Sequence, residues 1–168
     1  LHLYSTNGYA AAGPSSAFIY RSIISKLLSV RKYLPFVDYL LVLDGDVIFA
    51  NRSRTIEEVI QSGIAATARA GAAGEAHITL HERMHNKEVD AACILVKRSP
   101  FSFAFIDEWL GFAPCLCSNV GVRFNNFDNG ALLVLLLHRL YPDHPRTASC
   151  IGRYEAAKEI YGYKTFQR

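Results

Sequence analysis

Two carboxylates stand almost side by side in the stretch YLLVLDGDVIFAN, residues 39–51: Asp44 and Asp46, with only Gly45 between them. Like charges this close repel unless a cation lies between them, and a divalent ion resolves the repulsion. Hard cations such as magnesium or manganese take carboxylate oxygens and keep places open for phosphate oxygens. A spacing of i and i+2 at a strand end puts both carboxylates on one side. Gly45 leaves the backbone free to bend there and lets a ligand approach. The plain alternative is a solvated Asp-Gly turn closing a hairpin, although the apolar run before it is too uniform for an exposed hairpin arm.

Other side chains join the candidates. Arg21 and Lys26 lie on a helix ahead of the pair, and either could reach a phosphate, but they do not share a helix face; a solvated helix face is the alternative. His77, His81 and His85 recur at every fourth residue, which on a helix would be one face and a metal site. The flanking ITL pattern and the loop-like composition favour a polar surface instead. Cys115 and Cys117 are spaced C-x-C. With Cys93 and Cys150 they form no second pair, and no histidine ladder supports a zinc site. Asn51-Arg52-Ser53 is an N-x-S sequon, which matters only in a secretory setting. Trp109 reads as core.

The elements that must hold these residues alternate between strand and helix. LHLYS, residues 1–5, begins as a strand, and Gly8 and Gly13-Pro14 punctuate a loop. Ser15 or Ser16 caps a helix running to Arg31, with Ile19, Ile23, Leu27 and Val30 on one face. Val37 to Leu43 is a near-continuous apolar run that fits a strand buried on both faces, as in a parallel sheet. Ser53 caps the helix TIEEVIQSG, which has acids in its first turn and Gly63 as its stop. IAATARA, residues 64–70, reads as a strand, and GAAGEA, residues 71–76, as a mobile loop. VDAACILVK, residues 89–97, is a second buried strand. Ser99-Pro100 then opens a helix on which Phe101, Phe105 and Trp109 form a stripe. Asn125 to Leu140 is helical after a polar start, and Gly152 to Gly162 adds a short helix. This alternation predicts an α/β fold with a mostly parallel sheet flanked by helices. In open sheets of that kind ligands sit beyond the carboxyl ends of the strands, where Asp44 and Asp46 would lie.

Composition bounds what such a domain does. The 168 residues, 51% hydrophobic and 20% charged, suffice for one domain, residues 1–168, with a real core. A net charge of +3, with no block of like charges, argues against a nucleic-acid partner. No apolar run reaches the roughly 20 residues a membrane span needs, and ALLVLLL, residues 131–137, is the longest fully aliphatic block. Membrane attachment would have to come from a segment outside this sequence.

Three metal-centred readings of Asp44-Gly45-Asp46 compete. An EF-hand loop needs oxygen donors at positions 1, 3 and 5, and Ile48 at the fifth position excludes it. A haloacid-dehalogenase-type phosphohydrolase would use Asp44 as nucleophile and Asp46 as general acid. That family wants Thr or Val where Ile48 stands, and a downstream acidic pair that has no suitable match here. The third is a nucleotide-sugar glycosyltransferase of GT-A type, whose D-x-D holds a divalent metal on the donor's diphosphate. YLLVLDGDVIFANRSRTIEEVI, RMHNKEVDAACILVKRSPFSFAFIDEWLGF and FDNGALLVLLLHRLYPD together resemble, over most of residues 17–162, the blocks of a poorly characterised nucleotide-diphospho-sugar transferase family. That family is similar to the galactosyl- and xylosyltransferases of GT-A, Rossmann-like fold.

The resemblance implies a glycosyltransferase in which Asp44 and Asp46 bind metal, manganese in preference to magnesium, and Asp44 also faces the ribose. It implies Asp128 and Asn129 at a helix N-terminus facing the sugar or acceptor, where free N–H groups favour anions and hydroxyl-rich ligands. It implies Asn86 and Glu88 lining the donor-sugar pocket. An N-cap for Asp128 and a polar loop for Asn86 and Glu88 are the plain alternatives. The implied partners are a nucleotide-diphospho-sugar, most simply a UDP-sugar, and a glycan, protein or lipid acceptor. The implied setting is the Golgi or ER lumen or elsewhere on the secretory route, with the cytoplasm as alternative. Several positions depart from the pattern. Ala91-Ala92 stand where Ala-Gly is usual and Arg98 where Asn is usual. Asn125, Asn126 and Phe127 replace a usual histidine. The first βα unit and a late histidine-containing segment have no counterpart, so the chain is expected to be a fragment, and a non-catalytic sugar- or nucleotide-binding relative is a further reading.

Overall fold

The computed structural model describes residues 25–48, 53–69, 76–112 and 128–156, together with residues 51, 71 and 74. The strand expected at residues 1–5, the loop around Gly8 and Gly13-Pro14, the cap at Ser15 or Ser16, Arg21, Cys115, Cys117 and the Asn125–Phe127 stretch lie outside the described residues.

Helix α1 covers the described residues 25–33 and runs into a 3-10 turn at Leu34–Phe36. Pro35 at the start of that turn lacks the N–H that further α-helix would use. Strand β1 comes next, at Tyr39–Leu43. Helix α2 spans Ile56–Arg69. Its cap is Thr55 and not Ser53: Thr55 Oγ1 accepts from the Glu58 N–H at 3.2 Å, and Glu58 Oε2 accepts from the Thr55 N–H at 3.0 Å. This reciprocal pair satisfies two donors that a bare helix end would leave orphaned. Ser53 belongs instead to a turn in which its N–H donates to Asn51 Oδ1 at 2.9 Å.

Helix α2 is longer than its sequence pattern suggests. Gly63 does not stop it, and residues 64–69 are helical, not a strand. A lone glycine costs a helix only about 1 kcal/mol, and Ala65, Ala66 and Ala68 are the best helix formers just beyond it. The chain leaves the helix through Gly71 (φ 74°) and Gly74 (φ 110°), conformations that a side chain would strain. Strand β2, Ile78–Glu82, and strand β3, Val89–Lys97, form a hairpin. Helices α3 (Pro100–Phe112), α4 (Asp128–Leu140) and α5 (Thr147–Ala156) complete the described order. Helix α5 begins ahead of Gly152, where the sequence pattern placed its start. Ser99 caps α3 as expected, with the Ser102 N–H donating to its Oγ at 3.1 Å.

The described strands form one sheet in the order β1-β3-β2, and both neighbours run antiparallel to β3. The architecture is mixed α/β, but among the described residues the sheet is antiparallel where a mostly parallel one was expected. The physical reason is that an uninterrupted apolar strand reports burial, not direction. Packing is concentrated on one face, and no residue of β1 is fully buried. Ile94 and Val96 of β3, with Leu40 and Val42 of β1 and Ile78 and Leu80 of β2, pack on a core of Leu27 and Val30 (α1), Phe105, Ile106 and Trp109 (α3), and Leu132 and Leu135 (α4). On the opposite face, Ile60 and Ile64 of α2 line a small gap with Tyr39, Thr79 and Leu95.

The aromatic stripe on α3 is core only in part. Trp109 is fully buried and meets Phe105 edge-on at 6.1 Å, while Phe101 remains exposed. Arg139 of α4 lies over Phe101 and Phe105 at 5.2 and 5.3 Å and is held by Glu108, so the two helices share a cation–π and ion-pair seam. The three histidines form no helix face. His77 precedes β2, and its carbonyl accepts from the Lys97 N–H and the buried Ser102 hydroxyl. His81 and His85 are exposed on β2 and in the β2–β3 turn, a polar surface as expected. No described helix is long and apolar enough to cross a membrane.

Candidate functional site

β1 ends at Leu43, and the chain turns at once: the Val47 N–H donates to the Asp44 carbonyl at 3.1 Å. Asp44 and Asp46 therefore sit on a tight turn at the carboxyl end of β1, and the strand spacing expected to align them does not apply. The turn does not close a hairpin with β1, whose described sheet neighbour is β3. Asp46 and Gly45 are exposed. Among the described residues, a Cβ added at Gly45 would meet nothing within 4 Å. Asp44 is fixed from behind, with its N–H donating to the Ala92 carbonyl at 2.8 Å.

Lys26 of α1 reaches this turn. Its Nζ lies 2.7 Å from Asp44 Oδ1 and 2.8 Å from the Ala91 carbonyl. The lysine side chain is only 11% exposed, against 39% for Asp44. A buried ammonium is costly unless both charge and hydrogen bonds are supplied. Here a carboxylate and a carbonyl supply them.

The Ala91 peptide is available because the ladder breaks. Leu80 pairs with Ile94 but His81 pairs with Asp90, so β3 bulges by several residues against β2. Bulges of this kind re-aim backbone groups beside functional sites. The freed Ala91 carbonyl takes Lys26, and the Ala91 N–H donates to Asn129 Oδ1 at 2.8 Å. Asn129, the second residue of α4, also donates from Nδ2 to Asp90 Oδ1 at 2.9 Å.

Asp90 and Glu88 are both buried, and Arg83 holds them together, with Nε 2.6 Å from Asp90 Oδ2 and a terminal nitrogen 2.9 Å from Glu88 Oε2. Burial raises the Asp90 carboxyl. Hydrogen bonds from Arg83 and Asn129, the Arg83 charge and the Ala92 N–H outweigh burial and hold it below its ordinary value of 3.8. Asn86 adds a donor to Glu88 Oε2 at 3.2 Å and accepts from the Glu88 N–H, closing the β2–β3 turn in which Lys87 takes a positive φ of 62°. Cys93 lies beside this network. Burial, and then the Asp90 charge, push its thiol above the ordinary 9.0, away from reactivity.

The fold thus gathers Asp44, Asp46, Lys26, Asn86, Glu88 and Asn129 at one end of the sheet. Asp128 opens α4 next to Asn129. Sequence reasoning missed Arg83 and Asp90. The available signal was a carboxylate at the head of an apolar strand, since a buried Asp demands a partner. The structure also gives Asn129 and Glu88 internal roles: Asn129 bonds to β3, and Glu88 bonds to Arg83 and to Asn86 of the β2–β3 turn.

Two hard carboxylates suit a divalent cation that is shared with phosphate, since magnesium-like ions bind by one or two carboxylates plus substrate oxygens. Among the described residues no group of three His, Cys, Asp or Glu side chains could form an all-protein cage. Asp44 and Asp46 would leave most of such an ion's coordination to other donors.

A family model described as a protein of unknown function, DUF273, matches residues 7–168. The chain belongs to this family. No curated protein and no solved structure matches it. The DUF273 description names no activity.

Proposed function

We propose that the chain is a metal-dependent glycosyltransferase domain of GT-A type, moving a sugar from a nucleotide-diphosphate donor such as a UDP-sugar to a hydroxyl of a glycan, protein or lipid. The observation that carries this reading is convergence. Lys26 of α1 meets Asp44 beyond the carboxyl end of β1, and Asn129 of α4 bonds to Asp90 and Ala91 of β3, the strand whose Ala91 and Ala92 carbonyls hold Lys26 and Asp44. The GT-A assignment is part of the proposal, as is a secretory-pathway setting.

In this reading Asp44 and Asp46 hold the divalent ion, manganese rather than magnesium. That ion supplies Lewis-acid neutralisation of the diphosphate leaving group. Lys26, and Arg21 outside the described residues, add positive charge for the diphosphate. Asn129 and Glu88 act at one remove, by fixing the strand that carries the Ala91 and Ala92 carbonyls, and Asp128 remains the candidate to face sugar or acceptor. Positioning and preorganised charge supply the barrier reduction.

A second reading, a non-catalytic sugar or nucleotide binder, is favoured by one observation: Asn129 and Glu88 engage their polar atoms inside the protein. Calorimetry with UDP-sugars, with and without manganese, separates the two. The proposal expects metal-dependent binding that Asp46→Ala weakens by at least about ten-fold, the scale of one lost charged ligand. Metal-independent binding without turnover supports the second reading. Phosphate release from a simple phosphoester, abolished by Asp44→Asn, would sink both in favour of a phosphohydrolase.

A further inference from the structure

Asp44 already has a cation. Lys26 takes its Oδ1 at 2.7 Å from a largely buried position, and it is tethered to the Ala91 carbonyl as well. Asp46, by contrast, is exposed to solvent. Two carboxylates and one ammonium leave the turn with one net negative charge. A bare divalent ion would make the cluster positive around a lysine that has little room to leave. A diphosphate brings the negative charge that would restore the balance.

We propose that Lys26 acts as a resident counter-cation that makes metal binding at Asp44 and Asp46 conditional on a diphosphate ligand. The proposal rests on the reading of those two residues as metal ligands. Lys26 satisfies Asp44 when no ligand is present, so the acidic turn is neither left unpaired nor open to whichever divalent ion is abundant. When a nucleoside diphosphate is present, its phosphate oxygens offer Lys26 a second anion. The Ala91 carbonyl does not depend on Asp44, so it keeps the ammonium at the site while Asp44 exchanges one cation for another. Metal and diphosphate then strengthen each other's binding, and by linkage the enhancement is reciprocal. Lys26 thereby sets an order on the site that its two carboxylates alone would not impose.

The test is calorimetric titration of Mn2+ into the wild-type chain and into Lys26→Met, Lys26→Arg and Asp44→Asn, each alone and with saturating UDP, against protein-free blanks. Methionine keeps the packing of the lysine stem, and circular dichroism of each variant checks folding. The wild type is expected to bind Mn2+ weakly alone and more tightly with UDP. Lys26→Met is expected to bind Mn2+ alone about ten-fold more tightly than wild type, the effect of removing a partly screened like charge, with the UDP enhancement shrinking accordingly. Lys26→Arg keeps the charge and should keep the wild-type pattern. Unchanged or weaker Mn2+ binding in Lys26→Met, or an arginine variant that behaves like the methionine one, overturns the role of Lys26 while leaving Asp44 and Asp46 as ligands. Mn2+ binding that is absent throughout, or untouched by Asp44→Asn, overturns the metal reading itself and this inference with it.

Discussion

Asn129 and Asp90 meet amide to carboxylate, Nδ2 to Oδ1, at 2.9 Å, while the other end of the same amide accepts the Ala91 N–H at 2.8 Å. One side chain at the start of α4 thus fixes two successive residues of β3 just where that strand has left its ladder with β2. Asn129→Ala removes a partner from a buried carboxylate and from the N–H of Ala91, a residue with no exposed surface. Such a loss costs about 2–3 kcal/mol. Asn129→Asp should cost more, because it adds a second negative charge beside Asp90. Urea unfolding measures both, and a loss below about 0.5 kcal/mol for the alanine variant, the range of ordinary surface changes, would count against the role given to Asn129.

Asp90 makes stability depend on pH in a defined direction. Its carboxyl is buried, yet Arg83, Asn129 and the Ala92 N–H hold it below the ordinary 3.8. The folded state therefore binds this proton less readily than the unfolded state does. The Asp90 contribution is full above 3.8 and is lost as the pH falls below that value through the folded-state pKa. Urea midpoints taken from neutral pH down into acid should fall most steeply in that window for the wild type. Asp90→Asn, less stable at neutral pH, should show a shallower acid loss. Curves for the two proteins that run parallel through the acid range would contradict this account.

Local pattern encodes burial and caps, and these were the legible parts of the fold: the apolar run of β3 and the Ser99-Pro100 start of α3. The direction of the sheet was not legible, because residues from Val37 to Leu43 look the same beside a parallel or an antiparallel neighbour. β2 was hidden altogether: ITLHE is short, carries two exposed polar residues at its end, and is a strand only because β3 pairs with it. Within the candidate site, the charged side chains of Asp44, Asp46 and Lys26 could be singled out from sequence. That Lys26 meets Asp44 was not legible, since it depends on where α1 crosses the sheet. Arg83 and Asp90 were hidden for the same reason. Seven residues apart, they meet only because the hairpin folds one back on the other.

The second half of α2, helical where the apolar pattern suggested a strand, offers a direct check on the fold. Gly63 lies inside the helix, and among the described residues a Cβ there would meet only Thr79 Oγ1 at 3.9 Å, an ordinary contact. Gly63→Ala should stabilise the chain by about 0.5–1 kcal/mol, since it removes backbone freedom from the unfolded state and adds no clash. Ala66 is exposed about one turn before the helix ends. Ala66→Val should destabilise by roughly half a kcal/mol, because a β-branched side chain loses rotamers against the preceding turn of a helix. A strand over residues 64–70 would reverse that sign, since valine is favoured over alanine in strands. The pair of substitutions, each measured by urea unfolding, therefore discriminates the two structures: a stabilising Ala66→Val together with a destabilising Gly63→Ala would return this segment to the strand that its apolar pattern suggested.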